Sequence, residues 1–253
     1  MEDAAQVRGF FDKVGPWFYE FFFTLLGYRA SLRHFSRLNY PHLGLDRGAR
    51  VLDAGIGSGF LTANLLRETP VRFTVTGLDF SLGMWIALKR WLRRLNLENQ
   101  VKFYLGDMRA MPFRNASFDL VVSSAAMEYL PEVDKGIAEC CRVLRPGGRL
   151  LVITTRRTFI GKLIALLWRN ATLEPARMAQ HMRDGGIHHV KRLRFPWYFP
   201  HVNWWGMVLL GEKAEDPDEN MPRNVGKTPG TASATPGKKG RLLRVSAARP
   251  QAI

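Results

Sequence analysis

Three aspartates and three glycines have the types and spacing to hold a charged ligand. The densest stretch is Val51-Leu52-Asp53-Ala54-Gly55-Ile56-Gly57-Ser58-Gly59-Phe60-Leu61-Thr62. An apolar run ends in an acid, glycines alternate with small residues, and an apolar helical pattern follows. That is the pattern of a buried parallel strand, a tight turn and the first turn of a helix. Glycine permits positive φ and close approach of a ligand to the main chain. The free N–H groups at the start of the helix face whatever binds there. The spacing is Gly-x-Gly-x-Gly, and Phe60 stands where a dinucleotide fingerprint has its third glycine. Asp53, at the strand end, would repel a pyrophosphate. It suits a ligand that carries positive charge, and S-adenosylmethionine, with an ammonium and a sulfonium, is such a ligand.

Two further acids are in register with that stretch. Asp79 lies 20 residues after Gly59, and an acid at the tip of a second strand can accept both hydroxyls of a ribose. Asp107 can accept the exocyclic amine of an adenine, while Met108 covers a ring face with a polarisable side chain. Ser123-Ser124 ends another apolar run. All four stretches fall where successive strands should end, which is where open α/β sheets bind ligands.

The elements that must position them alternate. After the strand ending at Asp53, strand signals run over 71–78, 101–105, 118–124 and 149–155. Helix signals run over 60–67, 84–95 and 133–144, and Pro146-Gly147-Gly148 reads as a turn. Such alternation predicts a parallel sheet with right-handed crossovers. Helices are expected over 159–169 and 174–184. Strands over 190–195 and 204–212 follow, joined by a loop with Pro196 and Pro200 and no helix between them. They should pair as an antiparallel hairpin at the sheet edge. Residues 10–35 are strongly aromatic and are interrupted by Gly15-Pro16. They suit a helix pair packed on the domain, a lid over an apolar pocket, or a surface that dips into lipid. The expected division is a helical lid over 1–44, an α/β domain over 45–213 and a disordered basic tail over 214–253.

The chain has 253 residues, 46% of them apolar, with a formal net charge of +15. The length supports one full core plus appendages. The charge favours anionic partners or simply a basic, soluble surface. Lys89, Arg90, Arg93 and Arg94 lie on one side of the 84–95 helix, as a solvated face or an anion-binding patch. Cys140 and Cys141 are the only cysteines and are adjacent, so no disulfide framework is expected and a reducing compartment is. No secretory signal is read at the start, and no apolar run reaches the roughly 18 residues needed to cross a bilayer. A cytoplasmic location is expected, with possible peripheral contact on the inner membrane surface. No metal site is expected.

Several motifs in order resemble class I S-adenosylmethionine-dependent methyltransferases, nearest the branch acting on quinones, sterols and phospholipids. They are residues 51–62, the run Gly77-Leu78-Asp79-Phe80 through Met84, Gly106-Asp107-Met108 through Phe113, Ser117 through Val122, and Arg142 through Gly148. The resemblance covers residues 45–155, and more loosely extends to 213. It implies a Rossmann-like, doubly wound α/β fold with seven strands in the order 3-2-1-4-5-7-6, strand 7 antiparallel. It implies S-adenosyl-L-methionine as cofactor, held by Asp53, Gly55, Gly57, Gly59, Asp79, Phe80, Met84, Asp107, Met108 and Ser123. Phe10-Phe11-Asp12-Lys13 and Trp17-Phe18-Tyr19 look like the lid segment of that branch.

Two departures bear on the acceptor. Ser123-Ser124-Ala125-Ala126 stands where enzymes that methylate exocyclic base amines have Asn/Asp-Pro-Pro-aromatic. No cysteine stands where base C5-methylating enzymes need one. Both argue against nucleic acid as substrate, while the glycine–acid constellation and the aromatic flanks point to a small apolar or lipid-like acceptor, such as a quinone or phospholipid. Lipid contact through residues 89–94 and Trp204-Trp205 is one form of that reading. Another is a cofactor-binding partner or regulatory subunit that has lost catalysis. Methyl transfer from a sulfonium needs in-line geometry and little water. If a general base is needed, Glu128 is the first candidate, because it follows strand four and should face the cleft. His181, with His188 and His189, is the alternative.

Overall fold

The computed structural model describes residues 21–215 apart from residues 23 and 169. The aromatic residues before 21, expected as most of a lid, and the stretch after 215, expected as a disordered tail, lie outside the described residues. Seven strands form one sheet: β1 Arg50–Ala54, β2 Thr74–Asp79, β3 Val101–Leu105, β4 Phe118–Ser124, β5 Leu144–Thr155, β6 Ile187–Leu193 and β7 Gly206–Lys213. Their order is β3-β2-β1-β4-β5-β7-β6. The first five pair in parallel, and β7 runs antiparallel to both β5 and β6. This is the expected topology.

Seven α-helices are described: α1 Tyr28–Asn39, α2 Phe60–Glu68, α3 Leu82–Arg94, α4 Val133–Val143, α5 Phe159–Trp168, α6 Pro175–Asp184 and α7 Pro200–Trp205. Period-two alternation divides the sheet between two layers. Val51, Leu120, Val122, Leu151 and Ile153 pack with α1, α2, α5 and α7. Leu52, Val121, Leu150 and Val152, on the opposite face, pack with α4 and α6. Strands covered on both faces read as near-continuous apolar runs, as at Val51-Leu52, Leu120–Val122 and Leu150–Ile153. In α1, Tyr28, Leu32 and Phe35 recur at helical spacing and are buried. Each such side chain contributes about 2 kcal/mol by leaving water.

Two local expectations are corrected. The connection from β6 to β7 contains a helix, α7, so Trp204 and Trp205 end a helix rather than begin a strand. Pro200 sits in the first turn of α7, where its missing N–H has no intrahelical bond to lose. Pro146-Gly147-Gly148 lies inside β5 rather than before it. The register slips there, Phe118 pairing with Leu144 and Leu120 with Arg149. Gly147, at φ +67°, supplies the left-handed residue that such an irregularity uses.

Candidate active site

The glycine loop leaves β1 at Gly55, whose N–H donates to the Leu78 carbonyl at the tip of β2 (2.8 Å). Gly55, Gly57 and Gly59 all have positive φ. Gly55 also meets its neighbours too closely for a side chain, because a Cβ there would lie 2.3 Å from the Ala126 Cβ and 2.9 Å from the Met108 Cε. Gly57 differs: a Cβ there meets nothing closer than 4.0 Å. Its main chain therefore faces open space, and that space is a cavity of about 560 Å³. This size suits a small-molecule ligand.

Asp53, Asp79 and Asp107 all line this cavity, as do Gly55, Gly57, Phe80, Met84 and Met108. Asp79 ties three segments together. One of its oxygens accepts the Gly57 N–H (2.8 Å) and the other the Ser81 N–H (2.9 Å). Ser81 then caps α3 by accepting the Met84 N–H (3.2 Å). A carboxylate has about four acceptor sites, so the carboxylate keeps capacity for a ligand. Asp53 accepts from the Thr62 hydroxyl at 2.5 Å. Burial pushes the Asp53 carboxyl up to about 7, the Thr62 hydrogen bond opposes that, and the nearby Asp79 adds to it. Burial also raises Asp79, against hydrogen bonds from the Ser81, Gly57 and Phe80 N–H groups. A cationic ligand beside these two buried acids would offset that burial and favour their ionised forms.

Asp107 is different in kind. It lies at the rim with its side chain 42% exposed and is held by Arg109, the closest contact being 2.7 Å. Those hydrogen bonds hold its carboxyl below the usual range. Arg109 also reaches Glu132 at 3.2 Å. Met108 is buried against Gly55, next to the acid that precedes it.

Four expected site residues sit elsewhere. Gly59 does not line the cavity. It precedes α2, and a Cβ on it would strike Leu88 at 2.2 Å, so it serves helix packing. Ser123 is fully buried with its hydroxyl unpartnered, and Ser124 lines the cavity instead. Strand alternation explains the exchange: position 124 shares the face of Leu120 and Val122, toward α1, and 123 does not. Glu128 does not face the large cavity. It lies in the 3₁₀ turn Met127–Tyr129, where successive side chains diverge by about 120°. Tyr129 takes the cavity side. Glu128 turns inward, accepting from the Thr154 hydroxyl (2.6 Å), the Thr155 hydroxyl (2.9 Å) and the Thr155 N–H (3.2 Å). Burial raises its carboxyl. His181 is half-buried on α6, in the opposite layer, and His188 and His189 are exposed on the edge strand β6. No histidine is among the residues lining the cavity.

Several lining residues were not anticipated. The Tyr28 hydroxyl lies 3.0 Å from the Ser124 hydroxyl across the cavity wall. Leu32, Phe60, Leu61, Leu130 and Arg109 complete much of the remainder. Ala125 has φ +52° without being glycine, and such backbone conformations cluster at functional sites.

The match to known proteins falls on these residues. The family model described as a methyltransferase domain matches residues 51–148, the span from β1 into β5. Residues 51–148 are a methyltransferase domain. It resembles the quinone methyltransferases. Methyltransferase GfsG of Streptomyces halstedii is 34% identical over 145 residues, covering 56% of this chain and 51% of that protein. The ubiquinone/menaquinone biosynthesis C-methyltransferase UbiE of Geobacter sulfurreducens is 27% identical, covering 60% of this chain and 59% of its own. The chain thus spans about half the length of these curated relatives. A geranyl diphosphate methyltransferase solved in complex with S-adenosylmethionine shares the fold, at 17% identity and a TM-score of 0.59, covering 74% of this chain and 91% of that one. The glycine loop and Asp79 of the methyltransferase domain offer main-chain donors and a carboxylate to one open space, which fits the cofactor of the class.

Proposed function

We propose that this protein is an S-adenosylmethionine-dependent methyltransferase acting on a small, apolar, lipid-like acceptor. The observation that carries this reading is the cavity itself. Its lining combines Asp53, Asp79 and the glycine main chain with the apolar and aromatic Tyr28, Leu32, Phe60, Leu61 and Leu130. The first set suits a cationic nucleoside and the second an apolar partner. Relatives named for quinone substrates and a fold neighbour named for geranyl diphosphate support an acceptor with an isoprenoid or ring component.

In this reading Asp79 and the Gly57 main chain hold the ribose end, Asp107 and Met108 the adenine, and Asp53 lies near the cationic amino-acid end. Phe80 and Met84 cover the nucleoside. When bound, the cofactor supplies an electrophilic methyl group on a sulfonium. The chain contributes position and dryness. The apolar lining excludes water where charge is lost on the way to the transition state, and its shape holds the acceptor in line. The Tyr28–Ser124 hydroxyl pair can orient an acceptor oxygen. Burial raises the Tyr28 hydroxyl far above its ordinary value, so it would donate a hydrogen bond rather than accept a proton.

The test is transfer of a labelled methyl group to a panel of isoprenoid quinols, prenyl alcohols, phospholipids and water-soluble phenols and amines. Label entering the organic phase is expected. Label found only on water-soluble acceptors removes the lipid-like reading, and transfer to no acceptor removes the enzyme.

A further inference from the structure

Helix α5 is apolar on both sides. Gly161, Ile164, Ala165 and Trp168 face the core, while Phe159, Leu163 and Leu166 are 86%, 62% and 78% exposed. These exposed positions repeat at helical spacing and form one stripe. Beside it, Trp204 is 57% exposed. The contacts make this one surface. The Thr158 hydroxyl donates to the Trp204 carbonyl at 2.8 Å, and α5 packs on α7. Trp205, which the sequence suggested would share the exposed role, is buried instead.

The charge around this stripe has one sign. Residues 156–173 carry four Lys or Arg and residues 191–205 carry three, with no Asp or Glu in either segment. Glu174, at the start of α6, is already paired with Arg157 at 2.9 Å. Arg192 is held below its ordinary range, first by burial and then by Arg156 and Arg194. Guanidiniums crowded in this way are relieved by an external anion.

We propose that this face docks on an anionic lipid surface. Phe159, Leu163, Leu166 and Trp204 would enter the boundary between headgroups and acyl chains, while Arg156, Arg192 and Arg194 meet phosphates. Among the described residues no helix is long and apolar enough to cross a membrane, so the contact is a surface one. The location is apt. Thr155 and Gly206 pair at the end of the sheet where the β1–β4 tips hold the cavity. Tyr28, which lines that cavity, lies 5.3 Å ring to ring from Trp205 in the layer beneath α7. The inference stands apart from methyl transfer, because lipid binding is read without cofactor or acceptor.

Co-sedimentation of the full chain with phosphatidylcholine vesicles, with and without phosphatidylglycerol, tests it. Two double variants are compared, Leu163→Asp/Leu166→Asp and Arg192→Glu/Arg194→Glu. Arg93→Glu/Arg94→Glu on the basic side of α3 is the control, with circular dichroism melts to confirm folding. Expected are binding that needs the anionic lipid, loss of about tenfold or more in the first two variants, and little change in the control. The proposal is overturned by no binding, by equal binding to both vesicles, or by equal loss in the control. It is also overturned if light scattering shows a dimer that Leu163→Asp/Leu166→Asp separates.

Discussion

The same end of the sheet carries buried carboxylates at two places, and they are used in opposite ways. At the β1 and β2 tips, Asp53 and Asp79 line a cavity and are bonded by groups from the loop and helices that border it. Beyond β4, Glu128 is equally buried but is wrapped by Thr154 and Thr155 and faces away from that cavity. All three have raised carboxyl pKa values through burial. A perturbed acid at a strand end is therefore not enough to mark a chemical role. What separates the two places is where the main chain aims the side chain. Asp53 and Asp79 end regular strands on the face shared with α1, while Glu128 sits in a tight turn that hands the cavity to Tyr129.

Substitutions at either place should separate the two roles. The largest effect is expected at Asp79. Asp79→Ala removes an acceptor for a ligand and unties the glycine loop, so affinity for S-adenosylmethionine should fall about 100-fold in equilibrium dialysis. An unchanged affinity would erase the distinction between the two rims. Next is Gly55→Ala, which combines a positive φ with a clash at Ala126. It should lower unfolding free energy by about 2 kcal/mol in a denaturant titration. The same change at Gly57, where space is open, should cost about half that.

Asp53 gives a pH signature. Its folded value near 7 lies above the ordinary 3.8. Its contribution to stability is thus fully present below the ordinary value and is lost as pH rises through about 7. Ligand-free protein should melt lower at about pH 8 than at about pH 6 through this group. Affinity for the cationic ligand should rise over the same interval, by up to about tenfold, as the carboxylate ionises. Asp53→Asn should flatten both slopes. Glu128→Gln should keep cofactor affinity within about threefold while lowering stability by about 1 kcal/mol, since it disturbs a buried hydrogen-bond cluster and not the cavity. A large loss of turnover with affinity and melting intact would return Glu128 to the chemistry. His181→Ala should be the smallest effect, with kcat and KM unaltered in a steady-state assay.

Much of the acid-and-glycine side of the cavity was legible because its residues report main-chain geometry. Glycines at 55 and 57 and acids at 53 and 79 are required by a turn, a strand tip and a helix start that lie within one another's reach. Residues 101–105 and 118–124 were placed to the residue, since short apolar runs between polar turns leave little choice. The apolar part of the cavity was less legible because its lining comes from different elements. Tyr28 and Leu32 from α1 meet Ser124 and Leu130 only in the folded chain. Ser124 could have been preferred over Ser123 by counting alternation from Leu120 and Val122. The orientation of Glu128 could not be read so simply, since a single turn decides it. Helix α7 was hidden because its six residues contain tryptophans and a valine that read equally well as strand.

In the proposed function, Asp53, Asp79, Asp107 and the glycine main chain form one site for a cationic nucleoside. Isothermal titration of the full chain with S-adenosylmethionine tests it most directly. The account predicts one saturable site per chain with affinity in the micromolar range, on the order of −8 kcal/mol. Absence of saturable binding in the folded protein would contradict it.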